Sequence, residues 1–538
     1  MTALVDRFVL DRLPAPERQP LFAFNHPDLR YPEQLNAAVE LIDRAVEEGD
    51  GDLLAVRNDA GEWSYAALAD RSDRIARLLT EQEGLVPGNR VLLRGPNTAM
   101  MFAAWLGVLK AGGVVVTTMP MLRAGEIAAV LDNARASHAI VDVRAVDDFV
   151  EASARIGCVR SMLTYEGDRG TGMLEQLLAD TEPDFVPVAT QADDPALIAF
   201  TSGTTGTPKG CVHFHRDILV CADTFARHIL KPRRGDVFCT SAPIGFTFGL
   251  GATLIFPLRF RGTAVTLEQA TPRALVDAVA HHRVTTLFTA PTAYKAILTL
   301  GDAPAASLRT CVSAGEHLPA ATWQAWHEAT GIAIIDGIGA TEMMHIFISA
   351  AGDDIRPGAT GKAVPGFTAR VLDPAGQPLA EGTGRLAVRG PTGCRYLADD
   401  RQVSYVIDGW NITGDTYRCD ADGYFWYVAR SDDMIVSSGY NIAAPEVENA
   451  LCSHPAVREC AVIGVKCAIR GQLVKAFVVL IPGWPTGPAL AEELKAHVKA
   501  IIAPYKYPRE IEFIDTLPKT VTGKLRRVDL QLRQASVS

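Results

Sequence analysis

The sequence predicts an α/β protein: a large N-terminal domain of helix-covered sheets, a β-rich subdomain, and a small α+β C-terminal domain. Three observations carry this expectation. Apolar runs of strand length alternate with helical segments over the first two-thirds of the chain, the pattern of a parallel sheet covered by helices. From about residue 362, short runs are separated by turn residues, which reads as β-rich. Residues 432–538 are enough chain for a separate small domain. The expected boundaries are therefore 1–431, with the β-rich subdomain over about 362–430, and 432–538.

In chain order, Ser64 is placed to cap a helix over 64–82, where Leu68, Ile75, Leu78 and Leu79 recur at helical spacing. Residues 90–94 read as a strand and 98–110 as a helix ended by Gly112 and Gly113. Residues 114–117 and 138–143 read as two more strands. The apolar run 196–200 has the length of a buried strand and opens into a glycine- and threonine-rich stretch. A helix over 272–282 has proline in its first turn, followed by a strand at 284–288 and a helix at 291–300. Residues 312–316 and 334–337 read as strands running into glycine loops, and such strand ends are where open α/β sheets hold ligands. Short strands over 367–372 and 384–389 surround the turn Asp373-Pro374-Ala375-Gly376, and the turn 420–423 leads into 424–428. The last domain reads as helix 445–452, strands 460–465 and 473–480, and helix 489–503.

Composition narrows the partners. A net charge of −10 over 538 residues sets the surface against nucleic acid and anionic membranes, so an anionic ligand needs local positive groups. The longest apolar stretch, 244–258, is shorter than a membrane span and is interrupted by Pro257. Residues 1–14 carry Asp6, Arg7, Asp11 and Arg12 and hold no apolar signal core. Ten scattered cysteines include no Cys-x-x-Cys pair, which argues against a zinc site and for reduced thiols. The expectation is a cytoplasmic protein with no membrane or nucleic-acid partner, compatible with a homodimer.

The stretch with the most chemistry is 201–210, Thr-Ser-Gly-Thr-Thr-Gly-Thr-Pro-Lys-Gly. Glycine lets backbone N–H groups approach phosphate oxygens, hydroxyls donate to them, and a lysine adds a point charge. The competing reading is a polar hairpin. A Walker A loop is excluded, because Lys209 precedes Gly210 where Ser or Thr is required. A second cluster is Cys211, His213, His215 and Asp217, which would share one face of a strand. With no second ligand cluster to answer it, this group reads as packing. Gly249-x-Gly251 lacks the third glycine of a dinucleotide fingerprint.

Five stretches together resemble the adenylate-forming superfamily of acyl-CoA synthetases, adenylation domains and luciferases. They are 201–210, Gly339-Ala340-Thr341-Glu342, Thr413-Gly414-Asp415, the run from Arg430 to Glu448, and Pro518-Lys519-Thr520 with Gly523-Lys524. They occur in the family's order over most of the chain. Residues 336–339 and 342–347 are similar to benzoate-CoA and 2-aminobenzoate-CoA ligases.

The resemblance implies a two-step reaction using ATP, Mg²⁺ and CoA. A small aromatic carboxylic acid attacks the α-phosphate of ATP, and the CoA thiol then displaces AMP from the acyl-adenylate. It makes Lys524, Thr341 and Glu342 the catalytic set, with Glu342 also holding Mg²⁺, whose preference is for hard oxygen ligands. Thr201, Ser202, Gly203, Thr204, Thr205 and Lys209 would hold the outer phosphates. Gly315, Glu316, Asp336, Gly337, Ile338 and Gly339 would border the adenine, although the family often has an aromatic where Ile338 stands. Asp415 and Arg430 would hold the ribose. Phe246, Thr247, Phe248, Gly249 and His345 would line the acyl pocket, in a stretch without charge that suits a compact aromatic ring. Plain core packing is the competing reading for those phenylalanines. An ortho-amino group would need an acceptor, for which Thr247 and His345 are the candidates. Asp432 would be the hinge of the small domain, and Ser438, Gly439 and Tyr440 the thiol channel. The alternatives are a stand-alone enzyme that loads the thiol of a carrier protein, and a nucleotide-binding regulator without catalysis.

Overall fold

The structure, a computed structural model, describes residues 2–168, 170–201, 208–301, 306–430, 434–437, 440–467, 471–502, 506–519 and 525–535. The chain forms two compact units, residues 1–369 with 388–412, and residues 370–387 with 413–538.

Two sheets build the first unit. One has six strands in the order Ser161–Tyr165, His138–Asp142, Arg90–Arg94, Val114–Thr118, Pro195–Thr201 and Lys209–Phe214. Its first five strands run parallel and the last is antiparallel. Every residue of 90–94, 114–118 and 138–142 is buried, as expected of strands covered on both faces. The predicted cap forms, since Ser64 Oγ accepts from the Ala67 N–H at 3.1 Å, and Thr98 Oγ1 caps the next helix in the same way, accepting from the Met101 N–H at 3.1 Å. The first helix is α-helical over Tyr65–Arg77 and widens into a π turn at Leu78–Gln82. Its neighbour, Ala99–Lys110, is buried on all sides. A Cβ on Gly107 would lie 2.8 Å from Ile75 Cγ2 and from the Ser72 carbonyl oxygen, so only glycine permits this crossing of the two helices.

The other sheet has nine strands, and its centre is parallel from Ile334–Gly339 through Thr310–Ser313, Thr286–Thr289, Val237–Thr240 and Thr263–Val265 to Leu54–Asn58. Ser313 pairs with Asp336, so the loops after these two strands open at the same sheet edge. The uncharged stretch 244–258 forms short helical turns at Thr247–Leu250, Gly251–Ile255 and Phe256–Arg259 within the core. Among the described residues no helix is long and apolar enough to cross a membrane.

In the second unit, Phe425–Arg430 pairs antiparallel with Trp410–Cys419, placing Asp415 opposite Arg430. The C-terminal part is a sheet of Tyr440–Ala443, Met434–Ser437, Gly471–Leu480 and Val457–Cys467, with Glu510–Phe513 added parallel to Gly471–Leu480. Alternation along the hairpin divides its side chains between two faces. Cys460, Val462, Val474, Ala476 and Val478 pack with helices Ala444–Cys452 and Pro488–Ile501. Ala461, Ile463, Phe477 and Val479 pack with Leu517 and Leu530.

Candidate active site

Thr201 and Lys209 pair across an antiparallel register at the ends of their strands. Ser202, Gly203, Thr204 and Thr205 lie outside the described residues. A Cβ on Gly210 would fall 2.8 Å from Asn133 Oδ1.

Lys209 does not stand alone. Its Nζ donates to Tyr396 Oη at 2.7 Å and lies 4.6 Å from the centre of that ring. The Tyr396 hydroxyl in turn donates to Glu342 Oε1, which is 3.7 Å from Lys209 Nζ. Glu342 is buried on the 3₁₀ turn Thr341–Met343 that follows strand Ile334–Gly339. Burial and the neighbouring Glu342 carboxylate push the Tyr396 phenol far up, so it stays protonated.

The turn ends at Met344, whose φ of +70° is rare for a residue with a Cβ. This bend sends Glu342 toward Lys209 and His345 into a cluster of rings. His345 stacks on Phe248 at 5.7 Å and 27°, and meets Phe225 at 5.4 Å and Phe256 at 4.7 Å. Phe288 closes the group at 5.6 Å from Phe248. His345 Nε2 faces the Phe248 carbonyl oxygen at 3.4 Å, and Nδ1 is buried with no hydrogen-bond partner. Desolvation lowers this imidazole to about 3, so it is neutral at pH 7. Phe225, Phe256 and Phe288 escaped the sequence reading. Phe256 lies in the same uncharged stretch, whereas the other two carry no signal beyond apolarity. Thr247 is buried at the first position of its short turn. Phe246 is half-buried just before it, and Gly249 abuts the Pro243 carbonyl, 2.4 Å from where a Cβ would sit.

Strand Lys209–Phe214 ends where helix His215–Cys221 begins, so the four residues from Cys211 to Asp217 do not share a strand face. They separate into different roles. His213 Nε2 donates to the Thr341 carbonyl oxygen at 2.8 Å, and its Nδ1 lies 3.8 Å from Asp217 Oδ2. Arg395 Nη1 donates to the same Asp217 oxygen at 2.7 Å, and the guanidinium lies over the rings of Phe22 and Phe214. Burial alone would lower the His213 imidazole, but Cys211 and Asp217 outweigh it and raise it to about 10. His215 faces elsewhere and accepts from the Ala37 N–H at 3.1 Å.

At the sheet edge, Asp336 lines a cleft with Leu318, Trp323, Ile334 and Ala359. Its Oδ1 is buried without a hydrogen-bond partner, and burial pushes its carboxyl well above the usual range. Ile338 is half-buried, and Gly337 and Gly339 lie against Ile346 and the His345 backbone. Gly315 holds a φ of +86° in the adjacent loop, beside Glu316.

In the second unit, Arg430 Nη1 and Asp415 Oδ1 are 3.2 Å apart, and the Asp415 N–H donates to Thr413 Oγ1 at 3.3 Å. Lys524, Asp432, Ser438, Gly439 and the Tyr440 side chain lie outside the described residues. Two flanking motif carboxylates have structural partners. Glu448 pairs with Arg527 at 2.7 Å and Glu446 with Lys506 at 2.5 Å.

A model of the family described as AMP-binding enzyme matches residues 42–396, and that of the AMP-binding enzyme C-terminal domain matches 446–524. The chain is 38% identical over 513 residues to a benzoate-CoA ligase of Thauera aromatica, covering 94% of this chain and 97% of that protein. It is 35% identical to a 4-hydroxybenzoate-CoA/benzoate-CoA ligase of Rhodopseudomonas palustris, covering 91% and 93%. Among solved structures it is similar to the anthranilate CoA ligase AuaEII in complex with anthranoyl-AMP, with a TM-score of 0.89 and 32% identity over 95% of this chain and 99% of that one. It is also similar to a benzoate CoA ligase from Burkholderia xenovorans LB400, with a TM-score of 0.84 and 33% identity over 92% and 100%.

Proposed function

Because the chain belongs to the AMP-binding enzyme family, we infer that it is an AMP-forming aryl-CoA ligase, which converts an aromatic carboxylic acid to its acyl-adenylate with ATP and then to its CoA thioester. One observation supports the reading most directly. The turn 341–345 presents Glu342 to Lys209 at one end and His345 to a ring cluster at the other. A polyphosphate subsite and an aryl subsite thus meet at one turn, where a carboxylate and an α-phosphate have to react.

The chemistry follows from charge. A carboxylate is a poor acyl donor until its oxygen leaves as phosphate, and its attack on ATP brings two anions together. Lys209 and the hydroxyls of 201–205 hold the outer phosphates, and the Thr341 hydroxyl donates to the α-phosphate. Lys524 supplies the ammonium that lets carboxylate and α-phosphate approach. Asp336 accepts from the adenine amino group, and Asp415 and Arg430 hold the ribose. A divalent cation fits Glu342: it is a hard oxygen donor, and both of its contacts described above fall on Oε1, which leaves Oε2 for the ion. Bound there, Mg²⁺ would neutralise phosphate charge. For the second half, Asp432 is the hinge, and Ser438, Gly439 and Tyr440 line the thiol channel.

The aryl pocket favours 2-aminobenzoate. The Phe248 carbonyl can only accept, so the proton of neutral His345 sits on Nε2 and Nδ1 carries the lone pair. An amino group on the ring meets a ready acceptor there. The test is a ligase assay with ATP and CoA over benzoates bearing ortho, meta and para substituents. Highest kcat/KM for 2-aminobenzoate is expected, and a preference for medium-chain fatty acids overturns the aryl assignment.

A further inference from the structure

We propose that Tyr396 is a positioning residue for the nucleotide, its hydroxyl holding the Lys209 ammonium and the Glu342 carboxylate apart and ready for the phosphates and their cation. The direction of both hydrogen bonds is forced. An ammonium has no acceptor and a carboxylate no donor, so the hydroxyl accepts from Lys209 and gives its only proton to Glu342. With that hydroxyl in place the charged atoms stop at 3.7 Å instead of closing into a direct pair at about 2.8 Å. A closed pair, with Lys209 and Glu342 largely buried, would have to be broken before either group could engage phosphate or cation. The bridged arrangement leaves two ammonium N–H groups and one carboxylate oxygen uncommitted to each other.

Tyr396 is held for this task by the same strand that carries Lys209. It bridges to Cys211, the Val212 N–H donates to the Arg395 carbonyl and the Leu397 N–H to the Gly210 carbonyl, each at 2.8 Å. Gln402 Oε1 accepts from the Tyr396 N–H at 2.9 Å. The segment 394–397 is therefore a second wall of the phosphate site, contributed from 187 residues along the chain.

The inference rests on reading Lys209 and Glu342 as nucleotide and cation residues. The experiment is calorimetric titration of ATP, with and without Mg²⁺, into the full-length protein and its Tyr396→Phe variant, beside thermal melts of both. The variant is expected to bind ATP at least about tenfold more weakly with Mg²⁺, since it loses the hydroxyl's hydrogen bonds to two charged groups, and to need more Mg²⁺ for half-saturation. The KM for the acid at saturating ATP should not move. A lower melting temperature with unchanged Mg²⁺ dependence makes Tyr396 a packing residue and overturns the proposal. Equal loss with and without Mg²⁺ overturns it too. If the wild-type protein itself binds no ATP, the functional reading fails first. Should Tyr396→Phe not fold, Tyr396→His, which keeps a donor, is expected to bind ATP more tightly than Tyr396→Leu with Mg²⁺. Equal binding by these two variants again overturns the proposal.

Discussion

His213 Nε2 lies 2.8 Å from the Thr341 carbonyl oxygen, joining the strand Lys209–Phe214 to the turn that carries Glu342 through a partly buried hydrogen bond. The bond fixes the backbone of Thr341, whose hydroxyl is read as the α-phosphate donor. Replacing His213 by leucine takes away that half-buried carbonyl's donor, at a cost of about 1–3 kcal/mol. Formation of acyl-adenylate in a single turnover should fall roughly tenfold to a hundredfold. Conversion of supplied acyl-adenylate to thioester should be unchanged, and His213→Gln, which keeps an N–H, should recover part of the loss. Equal damage to both half-reactions would show that His213 only packs.

Gly251 faces the aryl cluster with no room to spare. A Cβ there would lie 2.5 Å from His345 Cδ2 and 2.9 Å from Phe256 Cζ. Both rings are buried and touch each other, so neither can move aside without opening the core. Gly251→Ala should lower kcat/KM for the aromatic acid about fivefold to a hundredfold, from overpacking worth roughly 1–3 kcal/mol, with the KM for ATP unchanged. An effect on ATP alone would separate the ring cluster from the acyl site.

What could be read from the sequence divides by the range of the interaction. Ser64, Thr98 and Thr271 cap helices through bonds to N–H groups three residues on, so neighbouring residues suffice to place them. The parallel strands are visible because burial on both faces leaves continuous apolar runs. Lys209, Glu342 and His345 were legible because each lies in a short motif of fixed spacing. Tyr396 was not, since its partners are 187 and 54 residues away and its own surroundings carry no periodicity. Phe225 and Phe288 look like any core residue until the fold brings them to His345. Cys211, His213, His215 and Asp217 read as one strand face, because the strand was extended past Phe214. The chain instead turns into a helix at His215, where Asp217 Oδ2 accepts from the Phe214 N–H at 3.0 Å.

The same buried histidines set a pH dependence. Desolvation lowers His345 to about 3 and His215 to about 4, against the ordinary 6.5 of a histidine. Below pH 6.5 the unfolded chain takes up these protons and the folded chain does not, so stability falls as pH drops toward 4 and 3. Both side chains are fully or almost fully buried, so each contributes a slope approaching about 1.4 kcal/mol per pH unit. His213 acts with the opposite sign, but not alone. Raised to about 10, it loses its contribution as pH climbs from 6.5, while the Cys211 thiol beside it, lowered to about 6, gains over the same range, so the pair adds little net slope. Thermal melts from pH 4.5 to 9 should therefore show an acid limb that levels off above about pH 6.5. His345→Phe keeps a ring and removes the proton site, so its acid limb should be shallower while its behaviour at neutral and alkaline pH matches that of the parent protein. An unchanged acid slope would mean that His345 is hydrated, and that its Nδ1 is not the waiting acceptor of the aryl pocket.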